Sequence, residues 1–414
     1  MTTAVFPIYF SRVAASGMSG AEATARYGTA TTAALALIAA LAPILGALAD
    51  YTAKKKRLLG GFMGLGVAAT ACLFFVGNGD WLLGAVLFAA ANIGASGSFV
   101  FYDALLPHVA RKEELDRVAT AGFALGYLGG GLLLAVNLAW IQKPGWFGLA
   151  GADPTLPTRL AFVSVALWWL GFSIPLLRTV EEPPRQLDPG EDPTEKALGV
   201  AFRRLWDTFR EIRTYRHAFL FLLAFLLFND GIQTIIRFAT VYGTEIGIGQ
   251  GALIGAILMV QFVGIPFAVL FGKLAERIGP KPAIYLGLGV YCVISVLGFF
   301  MESALHFFAL AALVGTVQGG TQALSRSLFA SMIPRHKSGE FFGFFSVLVK
   351  AASIFGPMVF TLFVSFTGSS RNAILAVAAF FVVGGGVLTL VDVEEGRRVA
   401  DAEEERARRA AEAG

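Results

Sequence analysis

The chain has 414 residues, 56% of them hydrophobic and 15% charged, with a mean hydropathy of +0.67 and a formal net charge of +4. Soluble domains carry roughly 45–50% apolar and about 25% charged residues. The apolar excess runs the whole length of the chain, which points to a polytopic membrane protein. The small positive balance is no nucleic-acid signal, because its placement matters more than its sum. Cys72 and Cys292 both fall inside apolar runs and suggest neither a disulfide frame nor a metal site. No basic leader precedes the first apolar segment, so no cleavable signal peptide is expected.

A helix crosses the hydrocarbon core with ~20 apolar residues. In chain order such stretches fall at 27–50, 58–77, 81–106, 118–141, 159–177, 218–241, 250–276, 282–301, 305–333, 341–367 and 371–391, eleven in all. Ahead of them, Thr2 to Phe10 (TTAVFPIYF) is apolar but short. A helix of that length rises about 14 Å, half the core. It is either a stub or the remnant of a helix whose natural start lies upstream. Loop charge then sets the orientation. The loops 51–57, 107–117, 178–217, 273–281, 334–340 and 392–414 hold 25 Lys or Arg, against five on the opposite side: Arg12, Arg26, Lys143, Arg159 and Arg371. The first set is expected in the cytoplasm, with both termini, in a bacterial-type plasma membrane. Two cytoplasmic ends require an even count, so the stub is read as a first helix.

The second span ends in GALADYTAKKKRLL (Gly46 to Leu59), where Asp50 is followed by the cations Lys54 to Arg57. GKLAERIGPKPAI (Gly272 to Ile284) echoes it. Gly46 to Gly272 and Asp50 to Glu276 are both offsets of 226, and Pro107 to Pro334 and Gly129 to Gly356 are offsets of 227. One offset linking landmarks in successive helices implies two similar six-helix halves that enter the membrane the same way. The expected division is residues 1–178, a linker at 179–217, residues 218–392, and a charged tail at 393–414. The linker opens with EEPPRQLDPGEDP. It continues with Leu198, Phe202, Leu205, Phe209 and Ile212 at helical spacing among Arg203, Arg204, Arg210 and Arg213. That pattern reads as an amphipathic helix on the inner membrane surface, or else as a solvated helix.

Polar groups inside spans cost ~2.5–3.5 kcal/mol when charged and are usually functional. Asn229, Gln233 and Arg237 sit at i, i+4 and i+8 on the seventh span, with Asp230 beside them. Gln318, Gln322 and Arg326 repeat the spacing on the tenth, next to Ser325. Lys350 lies about 13 Å into the eleventh by the helical rise. Asn92, Ser96 and Tyr102 on the fourth span and Tyr9 in the stub are lesser candidates. On the functional reading Arg326 or Lys350 takes an anionic group such as a carboxylate, and Asp230 holds an amine or carries a coupling proton. The structural alternative is an Asp230–Lys350 or Asp230–Arg326 pair. Arg326, two turns from Pro334, could also snorkel to the surface, and Arg237 reads as an anchor near the outer end. Gly122, Gly126 and Gly130 form a small-residue face on the fifth span, expected to pack against Gly251 and Gly255 of the eighth.

GALADYTAKKKRLL resembles the loop signature of the major facilitator superfamily. FYDALLPHVA, GFALGYLGGGLLL, FNDGIQT, VQGGTQALSRSLFASMIP and FFGFFSVLVKAASIFGP resemble its vacuole-effluxer-like branch, whose fungal members export amino acids from vacuoles. Two features depart from the pattern: the aromatic–Asp–Trp–Ala–Asn–Ser segment of helix one is absent, and Ala53 stands where the signature often has Gly. The resemblance implies an all-α polytopic fold of twelve transmembrane helices, with helices one, four, seven and ten around a central cavity. It also implies that Asp50 faces the positive N-terminus of helix eleven, from Phe341 onward. Lys54 to Arg57 would pair with Asp103. With Gly46 and Gly272 allowing close helix approach and Glu276 repeating the acid, these groups would form a latch between the halves. The plainer reading of the cations is the positive-inside rule alone.

The function this supports is secondary transport of a small solute, an amino acid by efflux, through alternating access, with proton coupling through Asp230 left open. The implied partners are that solute, protons and the bilayer, for a chain acting as a monomer, with no cofactor, metal or nucleic acid. A membrane enzyme has little support: His108, His217, His306 and His336 lie in loops or at helix ends, without an HExxH or Gly-x-Ser-x-Gly motif. No Walker loop suggests a pump. A receptor or scaffold that retains the transporter fold is the remaining alternative.

Overall fold

The computed structural model describes residues 5–149, 151, 153–185, 191, 194–210, 214–367 and 370–413. A four-residue helix α1 (Phe6–Tyr9) and a π-turn (Phe10–Ala14) open the chain. Six helices precede the C-terminal set: α2 (Gly20–Thr52), α3 (Lys55–Cys72), α4 (Trp81–Val109), α5 (Leu115–Gln142), α6 (Leu156–Thr179) and the linker helix α7 (Ala197–Arg210). Then come α8 (Arg216–Glu245), α9 (Gln250–Ile278), α10 (Pro280–Phe299), α11 (Ala304–Ser331), α12 (Ser338–Thr367), α13 (Ser370–Thr389) and the tail helix α14 (Val393–Ala413). Among the described residues, 10 helices are long and apolar enough to cross a membrane. The 30-residue α12 runs beside them.

Helix ends follow caps rather than hydropathy. α2 starts at Gly20, not at residue 27, because the Ser19 hydroxyl accepts the Glu22 N–H and the polar first turns can continue the helix. The short α1 is held by aromatic packing. Phe6 stacks on Phe88 with ring centroids 4.3 Å apart, and the Tyr9 hydroxyl donates to the Val76 carbonyl at 2.6 Å. Thr2 to Ala4 of the expected stub lie outside the described residues.

Two helix pairs dominate the contact between the N-terminal helices and the C-terminal ones, α2 with α12 and α5 with α9, and α5–α11, α4–α12 and α4–α11 add to them. A Cβ on Gly46 would overlap the Gly339 carbonyl, and one on Gly343 would meet the backbone of Ala42 and Pro43. The first seam is therefore a backbone-to-backbone approach that only glycine permits. The second seam corrects an expectation. α5 does pack on α9, and of the expected glycines Gly130 faces Gln261 there, but Gly122, Gly126, Gly251 and Gly255 do not make the contact. Contact runs through Gly264 against the Tyr127 ring, Gly131 against Gln261 and Phe262, and Gly272 against Thr120. Gly122 and Gly126 face a cavity instead.

The α2–α3 turn, the end of α4, the turn before α12, the linker and the tail gather on one face, termed here the linker face. Lys56 Nζ donates to the Val180 carbonyl at 2.8 Å, the Tyr51 hydroxyl donates to the Glu195 carbonyl at 3.3 Å, and Lys112 pairs with Asp401. The linker helix turns Val200, Ala201, Arg204 and Thr208 to the protein and leaves Leu198, Phe202 and Trp206 exposed. The expected apolar stripe is thus not the face that packs on the bundle. Ile212 and Arg213 lie outside the described residues. The tail is docked rather than free, since Glu403 pairs with Lys337 at 3.7 Å and Glu404 accepts the Arg335 N–H at 3.0 Å.

Candidate functional site

A cavity of about 560 Å³ opens between α4 and α5 on one side and α9 and α11 on the other. Its charges come from both helix sets. Arg326 Nε on α11 lies 3.2 Å from Asp103 Oδ2 on α4, and both side chains are largely buried. The helix geometry aims the arginine: Gln318, Gln322 and Arg326 share one face of α11, and all three line the cavity. The guanidinium lies over the Phe123 ring at 5.0 Å and near Phe345 at 5.9 Å. Those ring faces attract the cation, so the guanidinium stays in the cavity and does not snorkel. Phe99, Tyr102 and Tyr127 supply aromatic walls, and Gln261 of α9 adds an amide.

The linker-face end of the α2–α12 seam is sealed around Asp50. Its two carboxylate oxygens accept the Gly339 and Glu340 backbone N–H groups at 3.1 and 2.9 Å. These are unpaired donors at the start of α12, where the helix dipole favours an anion. Lys55 Nζ lies 2.7 Å from Asp50 Oδ1 and 3.0 Å from His108 Nε2. His108 also meets the Ser338 hydroxyl at 3.3 Å, and that hydroxyl donates to the Ala104 carbonyl at 2.9 Å. The linker joins this layer through Thr208, whose hydroxyl donates to Glu340 Oε1 at 2.7 Å. Ends of α2, α3, α4, α7 and α12 are tied in one buried polar layer.

Several expectations need correction. Lys54 to Arg57 do not pair with Asp103. Lys54 is exposed, and Lys55 turns to Asp50. The Lys56 and Arg57 backbone N–H groups donate to Glu182 at 2.9 and 3.3 Å. Asp103 lies too deep for the turn to reach and meets Arg326 instead, which also removes Arg326 from any pair with Asp230. Glu276 does not repeat Asp50: it is exposed and makes no ion pair among the described residues. On α8, Asn229 and Asp230 are buried but line none of the cavities described here, and Gln233 is half-buried. Lys350 is half-buried on α12, outside the cavity lining but close enough to act electrostatically on Asp103 and Arg326. Asn92 donates to the Phe88 carbonyl at 2.8 Å and lines an adjoining cavity of about 610 Å³, which shares Phe99, Tyr102, Leu176 and Gln261 with the first.

Sequence reasoning passed over Lys55 as an individual, His108, Thr208, Ser338, Glu340 and Gln261. Gln261 was detectable as a lone amide at the centre of an apolar span. Glu340 carried a weaker signal, an acid in the first turn of a span.

The sequence profile of the family described as "Vacuole effluxer Atg22 like" matches residues 22–401. The uncharacterized MFS-type transporter YxiO of Bacillus subtilis (strain 168) is 39% identical over 401 residues, 95% of this chain and 91% of that protein. Autophagy-related protein 22 of Yarrowia lipolytica is 28% identical over 317 residues, 70% of this chain and 53% of that one. The proton:xylose symporter XylE has the same fold, with a TM-score of 0.68 at 16% identity over 93% of this chain and 90% of that one. All-helical architecture, apolar spans and a charged seam between two helix sets define an integral membrane transporter with the major facilitator fold. Within that class the chain belongs to the vacuole effluxer Atg22-like family.

Proposed function

We propose that the protein moves a zwitterionic amino acid outward across a bacterial-type plasma membrane by alternating access, as a monomer with both termini in the cytoplasm. The observation that carries this reading is the Asp103–Arg326 pair, one charge from each helix set, inside a cavity of about 560 Å³. An amino acid presents an ammonium and a carboxylate a few ångströms apart. Inserted between the two side chains, it exchanges one ion pair for two and leaves neither Asp103 nor Arg326 unmatched. A singly charged solute would strand one partner, at a cost of ~3–5 kcal/mol for a buried pair. Gln318, Gln322 and Gln261 would orient the polar end, and the aromatic wall would take the side chain. The family's description as vacuole effluxer-like favours efflux. The N-terminal half, 1–178, and the C-terminal half, 218–392, are the units that rock, hinged by the linker.

Asp103, rather than Asp230, is the amine partner in this scheme. Buried away from the cavity, Asp230 suits a proton carrier better than a substrate contact. Asp230→Asn should leave amino-acid binding intact and abolish uptake driven by a pH gradient in proteoliposomes. Undiminished pH-driven flux would remove it from the coupling path.

A thermal-stabilisation screen of amino acids, followed by flux in proteoliposomes, tests the substrate. Arg326→Gln should weaken amino-acid binding at least about tenfold, the loss expected of one charge-assisted contact. Binding without flux would favour a receptor. No amino acid stabilising the wild-type protein would overturn the assignment.

A further inference from the structure

A third, smaller cavity of about 230 Å³ lies on the linker face, apart from the seam cavity. Its walls come from four separate places in the chain. Ala49, Asp50, Ala53 and Lys55 line it from the α2–α3 turn, His108 from the end of α4, and Pro183 and Pro184 from the stretch after α6. Arg335 and His336 line it from the turn before α12. The cavity therefore bridges both helix sets and the linker.

Its charges do not cancel. Asp50 is answered by Lys55 and by two backbone N–H groups. Arg335 is answered by nothing: it makes no ion pair among the described residues, and its Nε is buried without an acceptor. Its backbone N–H donates to Glu404 and its carbonyl accepts the Ser338 N–H. A buried, unmet guanidinium donor is costly unless something accepts from it. The other nearby cations already have carboxylate partners: Lys337 pairs with Glu403, Arg204 with Glu191 and Lys55 with Asp50. Burial first, then the nearby Lys337, Arg204 and Lys55, push the His336 imidazole down to about 3, with Glu191 opposing. The ring is neutral at physiological pH and offers one N–H donor. With a water's share of liquid volume near 30 Å³, the cavity holds a compact anion and a few waters.

We propose that this cavity is a binding site for a compact phosphate-class oxyanion, held by the Arg335 guanidinium with Lys55, His108 and His336 around it. The guanidinium fork matches such an anion in bidentate geometry. The anion would connect the turn before α12 to the ends of α3 and α4 across the seam. Bound there, it stabilises the closed linker face over any state in which those ends part, so it slows the transport cycle. Its source is either soluble phosphate or the headgroup of an acidic phospholipid.

The test uses the full chain. In detergent, inorganic phosphate at constant ionic strength, balanced with chloride, should raise the melting temperature saturably. In nanodiscs without phosphate, phosphatidylglycerol should do so over phosphatidylcholine if a headgroup is the source. Arg335→Gln should lose the shift in the arm that shows it, and Arg335→Lys, which keeps the charge without the fork, should retain part of it. Either arm showing the Arg335-dependent shift supports the site and identifies the source. No saturable shift in either arm, or an equal shift in Arg335→Gln, overturns it.

Discussion

The segments around Asp50 and Glu276 stand 226 residues apart and share a sequence pattern, yet they have diverged in physical role. Both glycines mark close helix approaches. Gly46 abuts the backbone of α12, and Gly272 meets the Thr120 side chain on α5. Only the first acid is used. Asp50 is buried, capped by two N–H groups of α12 and paired with Lys55, whereas Glu276 stays exposed. The comparison teaches that a repeat conserves packing more readily than electrostatics. A glycine contact needs one position to stay small. A buried carboxylate needs several partners at once, because an unmatched charge is expelled to water.

Substitutions sharpen or break this contrast. The largest effect is expected at Asp50. Asp50→Asn leaves Lys55 buried without its counter-charge, a loss of about 3–5 kcal/mol for the closed arrangement. Glu276→Gln should change stability by no more than about 0.5 kcal/mol. Denaturation in detergent compares them directly, and equal effects would mean that the two acids are equivalent. Next come the glycines. Gly46→Ala drives a methyl into a backbone carbonyl that cannot move alone, costing about 1–3 kcal/mol. Gly272→Ala meets a hydroxyl that can change rotamer, so its cost should be the smaller of the two. A larger loss at Gly272 would refute the backbone-contact account.

The smallest expected effect lies between them in the turn. Ala53 is the described non-glycine residue with positive φ, at 49°. A left-handed backbone costs an L-residue roughly 1–2 kcal/mol, offset in part by glycine's entropy. Ala53→Gly should stabilise by about 0.5–1 kcal/mol in thermal unfolding, and a loss would show that the turn is not strained.

Much of the fold was legible because long apolar runs and alternating loop charge reflect the bilayer directly. The seat of Asp50 at the start of helix eleven followed from its place in the signature and from the helix dipole. The side-chain pairings did not follow. Asp103 and Arg326 are 223 residues apart, and their meeting depends on how α4 crosses α11, which hydropathy does not encode. Lys55 was indistinguishable from its neighbours in the run Lys54 to Arg57, since only the phase of the first turn of α3 turns it inward. The apolar stripe of α7 was read correctly as a stripe. Its side agrees with a helix on the membrane surface, since Leu198 and Phe202 are exposed on the face turned away from the bundle.

The central claim is that the linker face is held shut by the acid at the end of α2 and opens when that hold is lost. Spin labels at Arg57→Cys on α3 and Arg216→Cys on α8, with Cys72 and Cys292 replaced by Ser, report the separation of the two helix sets at that face. Introducing Asp50→Asn should add a population at longer distance. Superimposable distance distributions with and without that substitution would contradict the claim.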